Sequence, residues 1–90
     1  KFELEQNYPN PFNPSTKINF SLPVDGDASL RVYDNSGRLA AIIMSGSIKS
    51  GYYSTDFDAS GLPSGVYYYR LDFSGSGMSF TKTMKMALLK

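Results

Sequence analysis

The side chains that could do chemistry in this chain are serines, aspartates, lysines and tyrosines, because the 90 residues include no histidine and no cysteine. The commonest general base, the commonest metal ligand and the strongest neutral-pH nucleophile are therefore all missing. The serines have no imidazole to activate them, and a Ser–Lys dyad would need a desolvated lysine that the sequence does not provide. Asp25, Asp27, Asp56 and Asp58 offer oxygen ligands for calcium, yet their spacing fits no known calcium loop, and Asp beside Gly is a turn former. Catalysis and a cofactor are not expected. Tyr52, Tyr53, Tyr67, Tyr68 and Tyr69 could stack on sugars or bases. Within a strand, however, Tyr67 and Tyr69 face one way and Tyr68 the other, so the triplet cannot be one platform. Tyr33, Tyr52 and Tyr68 are left as the exposed aromatics a carbohydrate-binding module would use.

The elements that must carry these residues are strands. Apolar and polar residues alternate in short runs separated by Gly, Pro, Asn and Asp, and nothing has the period of a long helix. Residues 16 to 22 place Ile18, Phe20 and Leu22 on one face, and residues 28 to 34 do the same with Ala28, Leu30 and Val32. Asp34-Asn35-Ser36-Gly37 reads as a hairpin turn. Residues 38 to 44 are apolar on both faces, as in a strand covered on both sides or bulged, and residues 46 to 51 read as a loop. Tyr53, Thr55 and Phe57 share a face in residues 52 to 58, as do Tyr67, Tyr69, Leu71 and Phe73 in residues 65 to 73. Gly75-Ser76-Gly77 turns into a last run with Met78, Phe80, Met84, Met86 and Leu88 in phase.

Runs spaced by about ten residues predict an all-β, immunoglobulin-like or fibronectin III-like antiparallel sandwich of about seven strands. Leu62-Pro63-Ser64-Gly65-Val66-Tyr67 predicts a tyrosine corner, in which Tyr67 bonds back to the backbone just upstream. A chain of this length supports one modest core, burying ~60 to 65 per cent of its unfolded surface. Seven tyrosines and six phenylalanines must fill it without disulfide help.

Two ends of the sequence stand out. In the first, Pro9, Pro11 and Pro14 alternate with Asn and with Tyr8 and Phe12, predicting an extended, polyproline-like arm over residues 1 to 15 ahead of a sandwich over 16 to 90. Tyr8 and Phe12 are its expected anchors, and a linker to a preceding domain its expected role. In the second, period two directs Met84, Met86 and Leu88 inward, so Ala87 and Leu89 turn apolar side chains outward where an edge strand is normally polar. That edge suits strand addition or docking on a receptor, unless another strand or the arm covers it. No acid follows Asp72, and Lys82, Lys85 and Lys90 make the tail basic. Overall the net charge is only +1, which points away from nucleic acid and anionic membrane. No apolar stretch nears the ~20 residues of a membrane span. A first residue of Lys1 and not Met suggests a piece of a longer protein with its leader upstream.

The opening Tyr8-Pro9-Asn10-Pro11-Phe12-Asn13-Pro14, together with Val32-Tyr33-Asp34, Gly37-Arg38, Gly65-Val66-Tyr67 and the closing Lys85-Met86-Ala87-Leu88-Leu89-Lys90, resembles the type A C-terminal sorting domains of type IX secretion. The resemblance covers the whole chain. It implies a non-enzymatic, immunoglobulin-like module at the end of a cargo that reaches the periplasm by its own signal peptide. The module would then direct passage across the outer membrane of a Gram-negative bacterium to the surface or medium. Its implied partners are the outer-membrane machinery, a surface sortase that removes the module and joins the cargo to lipopolysaccharide, and the cargo itself, with the domain monomeric. The implied recognition residues are Gly65, Tyr67, Lys85, Met86, Leu88, Leu89 and Lys90, with Pro9, Pro11, Phe12, Pro14, Leu62 and Pro63 structural. The chain departs from the family pattern at Met86-Ala87-Leu88-Leu89, often β-branched there, and at Thr55, usually apolar. The rival readings are a structural spacer, or a carbohydrate-binding module of a secreted hydrolase or surface protein.

Overall fold

The computed structural model describes residues 1–90, and in it the alternating runs become seven strands and no helix. Strands β1 (Glu3–Leu4), β2 (Ser15–Leu22) and β5 (Gly51–Asp58) form one sheet in the order β1-β2-β5. The other sheet, ordered β4-β3-β6-β7, holds β3 (Gly26–Tyr33), β4 (Leu39–Ile48), β6 (Gly65–Gly75) and β7 (Met78–Leu88). Every pairing between these strands is antiparallel. This is the immunoglobulin-like sandwich that the period and turn spacing predict.

Its core follows the period-two reading nearly residue for residue. Ile18, Phe20 and Leu22 of β2 face Ala28, Leu30 and Val32 of β3, Tyr67, Tyr69, Leu71 and Phe73 of β6, and Met86 and Leu88 of β7, all buried. Each large side chain among them contributes about 1.5–3 kcal/mol by leaving water. Turn chemistry sets the register between them. At the β6–β7 hairpin Ser76 and Gly77 both have positive φ, 54° and 75°, as a two-residue primed turn requires. The β3–β4 hairpin closes with Gly37 donating to Asp34 O at 3.0 Å, while Asp34 donates to Arg38 O at 2.8 Å. Gly26 and Gly75 meet where the turn between β2 and β3 adjoins the β6–β7 hairpin, so closely that a Cβ on Gly75 would lie 2.7 Å from Asp25 O and from Gly26 Cα.

Three expectations need correction. Residues 46 to 48 continue β4, pairing Gly46 with Ala28 and Ile48 with Gly26, so only Lys49 and Ser50 link β4 to β5. Of the two alternatives for the apolar run, covered on both sides or bulged, the strand takes the second and lies at the sheet edge: Ile43 and Ala40 have no Cα partner at two register shifts. Each bulge flips the facing, which puts Leu39 and Ile42 in solvent and Ala40, Ala41, Ile43 and Met44 against the core. In the arm, Tyr8 is 80% exposed and anchors nothing by its ring, whereas Phe12 is buried and Asn7 beside Tyr8 is buried too. The arm is not a free-standing polyproline-like rod. Its non-proline residues bond to the sheet, with Tyr8 and Lys17 exchanging backbone bonds at 3.0 and 2.9 Å. The Tyr8–Pro9, Asn10–Pro11 and Asn13–Pro14 peptide bonds are cis. No helix is long and apolar enough to cross a membrane.

Candidate functional site

Three segments far apart in sequence meet at one end of the sandwich: the arm, the β5–β6 corner and the tail. The β6–β7 ladder sets Gly65 opposite Leu88 and Tyr67 opposite Met86, so both groups of residues singled out in the sequence lie side by side. The corner is a tyrosine corner, with Tyr67 Oη donating to Pro63 O at 2.6 Å. Leu62 packs against the core beside it. Lys90 ties the tail to the same loop, donating from its backbone to Ser64 Oγ at 3.0 Å and from Nζ to Ser60 O at 2.6 Å.

The arm holds the other side. Strand β7 is the last in its sheet, so its outer backbone groups need partners or water. At the tail they find the arm. Gln6 Nε2 donates to Lys85 O at 2.8 Å, Ala87 N donates to Asn10 Oδ1 at 3.0 Å, and the Phe12 backbone donates to Ala87 O at 2.9 Å. Leu89 N donates in turn to Phe12 O at 3.0 Å, which completes a parallel bridge between Phe12 and Leu88. The Phe12 ring, 6.3 Å from that of Phe57 between centroids, fills the core beneath.

A buried polar network pins the arm. Asn7 donates from its backbone to Tyr69 Oη at 2.8 Å, Tyr69 Oη donates to Glu5 O at 2.6 Å, and Asn7 Nδ2 donates to Thr16 Oγ1 at 3.0 Å. Thr16 Oγ1 in turn donates to Pro9 O at 2.8 Å. Burial pushes the Tyr69 hydroxyl up to about 12, against the opposing pull of the Asn7 N–H. Neither Asn7 nor Tyr69 stood out as a site residue in the sequence. The usable signal was a polar Asn set among prolines, where an amide side chain can satisfy backbone groups that proline leaves open.

The carried-over recognition residues divide by burial. Tyr67, Met86 and Leu88 are core, and shape the strand from within. Gly65, Lys85, Leu89 and Lys90 are exposed, Leu89 at 58%. The Pro9, Pro11 and Pro14 rings are exposed as well, while Pro63 lends its carbonyl to the corner. The other candidate chemistries disperse. Tyr33 and Tyr68 are neighbours on the outer face of the four-stranded sheet, with the Arg70 guanidinium 5.0 Å from the Tyr33 ring centroid. Tyr52 lies in the opposite sheet, so the three share no platform. Asp25 and Asp58 cap turns through Ser50 N and Ser60 N, Asp27 accepts from Ser47 Oγ, and Asp56 pairs with Lys17 at 2.7 Å. No group of three or more acidic side chains comes together.

No curated protein matches the chain. The model of the secretion system C-terminal sorting domain matches residues 6–86, from the arm through the corner into the tail. This is not an enzyme family, and a type IX sorting domain implies a secreted or cell-surface cargo. With nearly its whole length matched, the chain belongs to the family of C-terminal sorting domains of type IX secretion.

Proposed function

We propose that this domain addresses an N-terminal cargo by presenting its corner-and-tail end to the outer-membrane secretion machinery, and that it performs no reaction itself. The observation that carries the reading is the convergence of Gly65 and Tyr67 with residues 85 to 90 in one ladder, locked by Lys90 to the corner loop. On this reading Lys85, Leu89 and Lys90 are the side chains touched by the machinery, an apolar anchor between two cations suited to an acidic-rimmed pocket. Met86, Leu88 and Tyr67 hold them in position. The arm leads back to the cargo, which arrives in the periplasm by its own signal peptide. A surface sortase then cuts ahead of the sandwich and joins the cargo to lipopolysaccharide.

A fluorescent reporter fused ahead of Lys1, in a host that has this secretion system, tests the reading. Replacing Leu89 by Asp and Lys85 by Glu leaves the core intact and is expected to hold the reporter in the periplasm. Deleting residues 81 to 90 should do the same. Export that survives both changes overturns the proposal.

A further inference from the structure

Four consecutive outward-facing backbone groups of the tail, Lys85 O, Ala87 N, Ala87 O and Leu89 N, are all satisfied by three residues of the arm. In an antiparallel strand a residue's N–H and C=O point to the same edge, so the series continues at Thr83, Thr81 and Ser79. Those residues make no backbone bond outside their sheet. One edge is thus split into a free half and a half that already carries an extended segment.

Only Phe12 pairs as a strand does. Gln6 and Asn10 reach the edge with side-chain amides, which stand in for a second and third backbone partner. A continuous strand would supply those bonds from its own backbone, and could run on along Thr83 and Thr81 where the arm has veered off to pair with β2. The arm is therefore an incomplete occupant of a site that suits a better one. We propose that the tail edge is a strand-accepting site which the chain's own arm occupies in the free domain, and that an extended partner segment takes the arm's place. Its ligand runs parallel to β7, with an aromatic side chain at the position of Phe12 over Leu88 and Phe57. Carboxylates flanking that aromatic suit Lys85 and Lys90, the exposed lysines on either side of Leu88. This deepens the reading of the tail as the recognised element and rests on it for its biological role.

The test uses the full chain, its Gln6→Ala/Asn10→Ala double variant, and a synthetic peptide of residues 5 to 13 as the probe. Both substituted side chains are exposed and line no part of the apolar core, although Gln6 Nε2 also donates to Asn7 Oδ1 at 2.7 Å and that bond is lost with it. Removing the two hydrogen bonds to the tail edge should speed amide exchange at Ala87 and Leu89 by about ten-fold or more, with Leu30 and Leu71 unaffected. Added peptide should restore protection in the variant, and should not alter the wild type, whose site is filled. Unchanged exchange, uniform acceleration across the sheet, or a peptide that restores nothing would each overturn the site. The export assay separates this from the sorting reading. If deletion of residues 81 to 90 leaves export intact while the peptide still protects the edge, the site stands and the sorting role falls. If export needs the tail and the peptide is inert, the reverse holds.

Discussion

The four-stranded sheet has two edges, β4 and β7, and they are made safe in opposite ways. Strand β4 is apolar along most of its first half, yet its two bulges break the ladder and twist the strand, so no flat row of donors and acceptors is offered. Strand β7 keeps an unbroken register with β6 from Met78 to Leu88. Its protection comes from composition and from a cover: Ser79, Thr81, Lys82 and Thr83 keep the free half polar, and the arm closes the rest. A bulged edge cannot easily accept a strand, whereas a regular edge under a removable cover can. Two solutions to one liability thus leave one edge inert and the other available.

The contrast predicts its largest effect in the core beneath each edge. Leu88 is fully buried and carries the bridge to Phe12, while Ile42 sits in solvent beside the Ile43 bulge of β4. Leu88→Ala should cost about 2–5 kcal/mol by lost burial and an unfilled cavity. Ile42→Ala should stay within about 0.5 kcal/mol. Urea midpoints for the two variants check this, and equal losses would mean that β4 is as tightly packed as β7.

Next in size is the network under the arm. Tyr69→Phe removes the hydroxyl that accepts from Asn7 N and donates to Glu5 O, leaving the buried Asn7 N–H and the partly buried Glu5 carbonyl without that partner. A loss of about 1–3 kcal/mol is expected. It has a pH signature as well. The folded-state value of about 12 lies above the ordinary 10.0, so the unfolded chain gives up this proton first as the solution becomes alkaline. The stabilisation is complete below pH 10 and declines as pH climbs toward 12. The measurement is the difference in stability between wild type and Tyr69→Phe. That difference should shrink across this window, and a constant difference would mean that burial does not raise the Tyr69 hydroxyl.

The sandwich was legible because side chains in strands obey a period of two, and Ile18, Leu30, Leu71 and Leu88 face inward by that rule alone. The tyrosine corner was legible for another reason: Leu62, Pro63, Gly65 and Tyr67 each meet a local backbone requirement. Bulges broke the rule in β4, since an extra residue flips facing without altering composition, and no residue type marks where Ile43 or Ala40 loses its partner. The arm was misjudged through its prolines. They suggested a rod anchored by Tyr8 and Phe12; Phe12 is buried, but Asn7, Gln6 and Asn10 make the long-range bonds, to partners 62 to 79 residues away in sequence. Of the site, the composition of the tail could be read from the chain. The segment covering it could not, because a covering contact depends on which edge of β7 the sheet leaves unpaired.

The smallest predicted effect concerns how β4 begins. Asp34 Oδ1 accepts from Ser36 N at 2.9 Å, from Ser36 Oγ at 2.7 Å and from Arg38 N at 3.0 Å, all at the surface. The Ser36 hydroxyl, then the Arg38 amide, hold its carboxyl below the ordinary 3.8. Because the folded form keeps the charge more readily, the turn's contribution is present above that ordinary value and fades as pH falls below it. Asp34→Asn retains an acceptor oxygen but cannot ionise. Its Ser36 and Arg38 amide resonances should no longer move through the acid range, with little change in melting temperature and none in the tail. A shift at Ala87 or Leu89 in the same titration would show the two edges to be coupled through β3 and β6, and the inert edge would then have a hand in opening the available one.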